Sequence, residues 1–219
     1  MSVDQLPPSR TSRLVRVSGL VAVIAFVALL VYGIVKQAPD TTIDDALAQN
    51  RPVAPPGFDL SVLESGQPGP LATVWERAAQ DGRVNLDELR GTPVVINFWA
   101  SWCDPCRQEA RLLQRGWEAA RERGVLFVGL DMQDVREDAR DFLRQFEQDY
   151  PQVRDPTKDT ARAWGATGIP ETFFISRRGD VVAHVIGALT EQQLKTGVDA
   201  SLSGKPIGAQ FGGEQRPTQ

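Results

Sequence analysis

Two cysteines occur in this chain, Cys103 and Cys106, and they sit where one hydrophobic pattern gives way to another. Before them, Val94-Val95-Ile96-Asn97-Phe98-Trp99 is a short apolar run, β-branched and aromatic, that predicts a buried strand. After them, Arg107 to Arg123 is rich in helix formers, with Leu112, Leu113 and Ala120 as inward positions. The pair therefore stands at a strand-to-helix junction, with Cys103 near a helix N-terminus. Unpaired backbone N–H groups and the helix dipole at such an end favour an anion. A thiolate is one, and a Cys-x-x-Cys pair in that setting has a lowered pKa and raised reactivity.

Other uses of a Cys-x-x-Cys pair ask for residues that are missing here. A zinc knuckle takes four ligands, and the chain has a single histidine, His184, beside its two cysteines. A c-type haem site takes a histidine directly after the second cysteine, where this chain has Arg107. A purely structural disulfide across two residues would close too small a loop to constrain much of the unfolded chain. Redox chemistry suits strand, pair and helix together.

Asn97-Phe98-Trp99-Ala100-Ser101-Trp102-Cys103-Asp104-Pro105-Cys106 resembles the active-site segment of the thioredoxin superfamily. It is most similar to the membrane-anchored thiol-disulfide oxidoreductases of cytochrome c biogenesis. Trp164-Gly165-Ala166-Thr167-Gly168-Ile169-Pro170-Glu171-Thr172-Phe173 resembles a second block of that group, Gly-x-Pro-Glu-Thr-Phe. The likeness runs from about residue 57 to 202. It implies an α/β thioredoxin-like fold, a central mixed sheet flanked by helices, with a redox-active Cys103–Cys106 disulfide and no cofactor or metal. It also implies a cis Ile169–Pro170 bond facing the cysteines, in a loop whose backbone pairs with an extended substrate segment.

The implied cycle is dithiol exchange through a mixed disulfide, with Cys103 attacking and Cys106 resolving. Trp99 and Trp102 are expected to flank the site by packing, and Pro105 stands between the cysteines. Glu109 matches an acidic position of the group, and Glu171 stands beside Pro170; both would disfavour an over-stabilised thiolate by like-charge repulsion. As a plain helix or strand residue, either would instead face solvent. Asn97 stands where cytoplasmic thioredoxins carry a buried acid, which puts their proton shuttle in doubt here. His184, in Val181 to Ile186, is expected to be a strand-face residue rather than a catalyst.

The rest of the chain concerns location. Met1 to Arg16 is polar with three arginines, and Val17 to Val35 is uncharged and about one bilayer thick as a helix. A cleaved signal peptide would have a shorter apolar stretch of about 7–15 residues and a small-x-small cleavage site. The expected division is a cytoplasmic segment 1–16, a transmembrane anchor 17–35 and a tether 36–56. A thioredoxin-like domain over 57–202 and a disordered tail over 203–219 complete it. Basic residues stay on the cytoplasmic side, so the domain is expected outside, on the periplasmic or outer surface of the cell membrane. Residues 1–36 carry a net +3, which leaves −7 on the remainder of a chain whose total is −4. An acidic domain argues against nucleic acid as a partner.

The partners expected are protein disulfides, apocytochrome c first among them, a membrane or extracytoplasmic thiol reductant, and the bilayer through 17–35. Two other functions fit less well. A thiol peroxidase of related fold would have Thr three residues before its reactive cysteine, where this chain has Ala100. A copper-carrying module would use a three-residue cysteine spacing and a histidine.

Overall fold

A computed structural model describes residues 10–37 and 40–212 of the chain, with side chains given for 18–33 and 40–212. These residues fall into two units, one ending at residue 38 and the other beginning at residue 39. The first is a single helix, α1 (Arg10–Gln37), whose described side chains Ser18 to Tyr32 are all exposed. Among the described residues no helix is long and apolar enough to cross a membrane. The anchor expected over 17–35 thus has its helix but not a described span. Side chains are given for residues 18–33 only, about 24 Å of helix against a hydrocarbon core of about 30 Å.

The second unit is built on an eight-stranded sheet in the order β2-β1-β5-β4-β3-β6-β7-β8. Its strands are β1 (Asp59–Glu64), β2 (Arg83–Asn85), β3 (Val94–Trp99), β4 (Leu126–Met132), β5 (Gln152–Asp155), β6 (Glu171–Ile175), β7 (Val181–Ile186) and β8 (Gly208–Phe211). The pairs β3–β4, β4–β5 and β7–β8 are parallel and the remaining neighbours antiparallel, so the sheet is mixed as expected. All six residues of β3 and all seven of β4 are buried. A strand buried on both faces needs cover on both, and a continuous apolar run is its sequence mark.

The cover is helical: α2 (Thr42–Ala48), α3 (Ala72–Ala78), α4 (Asp104–Arg121), α5 (Arg136–Phe146), α6 (Asp159–Ala163) and α7 (Glu191–Ser203). Thr190 caps α7 through a reciprocal pair with Gln193. Most aliphatic and aromatic side chains share one core that contains Trp75, Trp117 and Trp164. A smaller cluster holds Cys103 and Cys106 with Leu63, Trp99, Ala110 and Phe142.

Two expectations change. The stretch expected as a tether contains α2, which buries Ile43, Ala46 and Leu47 against the folded unit, and Val53 bridges to Val181. Those three apolar side chains at i, i+3 and i+4 form the stripe that docks a helix. The stretch expected as a disordered tail contributes β8, parallel to β7, where it meets the unpaired backbone of the sheet's last strand; residues 213–219 lie outside the described ones. Val135 is the N-cap of α5, and Asp134 before it is engaged with the active-site loop.

Candidate active site

Parallel pairing of β3 with β4 and the turn at its end set the position of α4. Cys103 is the N-cap of that helix in extended conformation, and its Sγ accepts the Cys106 N–H at 3.2 Å. Pro105 occupies the first turn, where its missing N–H would have had no partner. The two cysteines form a disulfide and are buried, at 4% and 2% exposure. The helix placement read from the sequence is what the structure contains, with α4 starting three residues earlier than expected.

The loop before Cys103 is held from the side. Asp134 accepts both the Ser101 N–H, at 2.5 Å, and the Ser101 hydroxyl, at 2.8 Å. Arg154 donates to the Asp134 carbonyl and to Asp131, itself buried on β4. Burial pushes the Asp131 carboxyl up to about 7; Arg154 opposes that rise and the nearby Asp134 adds to it. Trp102 is 59% exposed, its indole N–H bonded to the Gln133 carbonyl, and so stands at the mouth of the site. Trp99 is buried instead, bonded to Gln152 at 3.0 Å and packed on Phe142.

Glu109, one turn beyond Cys106 on α4, is 2% exposed. A solvated helix carboxylate is therefore excluded. Asn97 donates to it at 2.8 Å and the Leu189 N–H at 2.6 Å, while Asn97 also donates to Thr172. Burial raises the Glu109 carboxyl to about 7 against the lowering effect of these two donors. Asn97 is not an acid, yet its amide binds one supplied from the neighbouring helix.

On the opposite side Ile169–Pro170 is cis, as the resemblance implied. Ile169 packs against the cluster that contains both cysteines. Glu171 follows, 1% exposed, so it is not the solvent-facing strand residue of the plain alternative. One carboxylate oxygen accepts from the Thr167 N–H, the Thr167 hydroxyl and the Gly168 N–H at 2.8–2.9 Å, which closes the loop before Pro170. The other oxygen lies 2.9 Å from His184 Nε2.

Sequence reasoning brought together Cys103, Cys106, Trp102, Pro105, Glu109, Ile169, Pro170 and Glu171. It missed Asp131, Asp134 and Arg154, and it missed the partners of His184. A signal existed for the first group: Asp131 is an acid inside the apolar run Val125 to Met132. A charge placed inside a buried strand needs a partner.

This geometry coincides with what similar proteins are described as. The AhpC/TSA family model matches residues 66–184. The chain is 29% identical to the thiol:disulfide interchange protein HelX of Rhodobacter capsulatus, over 73% of this chain and 86% of that one. It is also 29% identical to the thiol:disulfide interchange protein DsbE of Xylella fastidiosa, over 86% of both chains. Among solved structures, a DsbF homologue from Corynebacterium diphtheriae superposes with a TM-score of 0.55 at 25% identity, covering 70% of this chain and 88% of that one. With a Cys-x-x-Cys disulfide at a helix N-terminus, and a family match over more than half its length, the chain belongs to the AhpC/TSA family as a thioredoxin-like thiol-disulfide oxidoreductase.

Proposed function

We propose that this protein is a membrane-tethered reductase of protein disulfides acting outside the cytoplasm, with the Cys-x-x-Cys-His disulfide of an apocytochrome c as its leading substrate. The observation that carries the reading is Glu109, a buried carboxyl brought to about 7 one turn from the resolving cysteine. A carboxyl that titrates near neutrality can take and return a proton during exchange. When ionised it opposes a neighbouring thiolate, and a dithiol whose thiolate is not over-stabilised is a reductant.

The cycle runs from the reduced pair. The Cys103 thiolate attacks one sulfur of the substrate disulfide, and the other leaves as a thiolate and takes a proton. Cys106, giving its proton toward Glu109, then attacks Cys103 Sγ and releases the second substrate thiol. Two electrons have passed to the substrate, and Cys103–Cys106 is the disulfide of the resting structure. An extracytoplasmic thiol reductant returns them. The loop at Ile169–Pro170, beside the thiols, offers backbone groups to an extended substrate as a strand is added to an edge.

The tether is α1. Its sequence over 17–35 is uncharged, arginines precede it, and its described apolar side chains are exposed on all sides, as suits a helix surrounded by lipid. Two experiments test the proposal. Reduced protein mixed with an oxidised Cys-x-x-Cys-His peptide should release two peptide thiols per disulfide; an intact peptide overturns the substrate class. A reporter fused after Gln219 should be active only outside the cytoplasm, and cytoplasmic activity overturns the topology.

A further inference from the structure

His184 lies on β7, 1% exposed, between two carboxylates that belong to different parts of the chain. Its Nδ1 is 2.7 Å from Asp44 on α2 and its Nε2 is 2.9 Å from Glu171. The ring stacks on Phe173 at 3.8 Å between centroids. A neutral imidazole has one N–H and one lone pair. Both contacts are satisfied only when this trio holds one proton more than a neutral imidazole between two carboxylates. Glu171 in turn closes the loop through Thr167 and Gly168.

A second contact ties the same two segments. Gly165, at φ +74°, lies so close to the Asp40 carbonyl that no side chain would fit, so the start of the loop also rests on the residues leading into α2. The N-terminal end of α2 is thus joined to this segment twice, once by backbone packing at Gly165 and once through His184 and Glu171.

We propose that His184 is a positioning residue for disulfide exchange: bridging Asp44 and Glu171, it locks the loop that receives substrate beside Cys103 and makes that lock depend on the docking of α2. This rests on the reading of that loop as the substrate-facing edge. The charged groups at the ring are those two carboxylates. Asp45, next along α2, is exposed and accepts from Thr41, and the β8 residue paired with His184 is Ala209. Burial works against the imidazolium, yet the hydrogen bonds and charges of Asp44 and Glu171 outweigh it and hold the group above its ordinary value. A raised histidine gives a lock that is complete at low pH and released as pH rises through the folded-state value.

His184 is the chain's one histidine, so imidazole NMR signals of the full-length protein report on it alone. The titration midpoint should lie above about 6.5. Hydrogen exchange at the Thr167 and Gly168 amides, corrected for intrinsic rate, should accelerate across that midpoint. Asp44→Ala, at a partly exposed residue, should lower the midpoint and carry the exchange transition down with it. His184→Gln should abolish the transition and raise KM for the oxidised Cys-x-x-Cys-His peptide about tenfold, with kcat changed less than twofold. A midpoint that moves in Asp44→Ala without the exchange transition overturns the proposal, as does a His184→Gln effect confined to kcat. Should the wild type leave the peptide intact, the reductase reading fails while the exchange measurements still decide the lock. Should His184→Gln fail to fold, Asp44→Ala makes the same decision.

Discussion

Two buried glutamates flank the cysteine pair and are held in opposite ways. On the helix side, Glu109 meets two neutral donors, the Asn97 amide and the Leu189 N–H, with no cation bonded to it among the described residues. On the loop side, Glu171 meets two backbone N–H groups, a hydroxyl and an imidazole that is itself bound by a second carboxylate. Desolvation disfavours the charged form of any buried acid, and neutral donors only partly offset it. Glu109 therefore titrates near neutrality, at about 7. In the proposed cycle the same residue type supplies proton chemistry on one wall and architecture on the other, and the bonded partners decide which.

The largest expected effect calibrates the comparison from outside both walls. Cys103→Ser should lower the rate of peptide-disulfide reduction at least about 10³-fold, because no thiolate remains to attack. Cys106→Ser should still perform the first step and accumulate a mixed disulfide on Cys103, visible as an intact-mass adduct. Next come the truncations of the two acids, compared by urea unfolding at pH 7. Glu171→Ala strands a buried imidazolium and should cost about 3–5 kcal/mol. Glu109→Ala strands two neutral donors and should cost about 1–3 kcal/mol. Equal losses would break the distinction.

A third test uses pH. Glu109 binds its proton more tightly folded than unfolded, so its contribution to stability should fall as pH rises from about 4.5 to about 7, and the raised His184 extends the wild-type decline to higher pH. One carboxyl raised from 4.5 to about 7 contributes up to about 3 kcal/mol of that slope. Asp131 is also raised to about 7, so Glu109→Gln should remove roughly half of the total rather than all of it. An unchanged slope would mean that Glu109 stays ionised.

The smallest effect sharpens the comparison at the thiols. The wild-type reduction potential against glutathione should lie nearer about −270 mV than about −120 mV. Glu109→Gln should lower the Cys103 pKa and raise the potential by about 30 mV, while Glu171→Gln should shift it less, because His184 and the loop already engage that carboxylate. The sequence alone suggested that both acids act on the thiols; a larger shift in Glu171→Gln would restore that view.

The sequence by itself determined whatever depends on neighbours in the chain. The run Val94 to Trp99 followed by Cys-x-x-Cys and a helix-forming stretch sets the strand, the cysteine pair and the helix end, because period and capping are local properties. Composition misled where context overrides it: the prolines Pro39, Pro52, Pro55 and Pro56 mark the stretch 36–56 as a tether, yet Thr42 to Ala48 within it docks an apolar stripe, and the Gly- and Gln-containing stretch Gly208 to Phe211 pairs with a strand edge that only the assembled sheet presents. The tertiary structure alone decided the polar partnerships. Asp44 and His184 are 140 residues apart, Asn97 and Thr172 are 75 apart, and Ser101 and Asp134 are 33 apart. Pattern along a chain shows which face is apolar, whereas the burial that raises Glu109 and the contacts that hold Glu171 come into being only when β3, β6, β7, α2 and α4 are packed together.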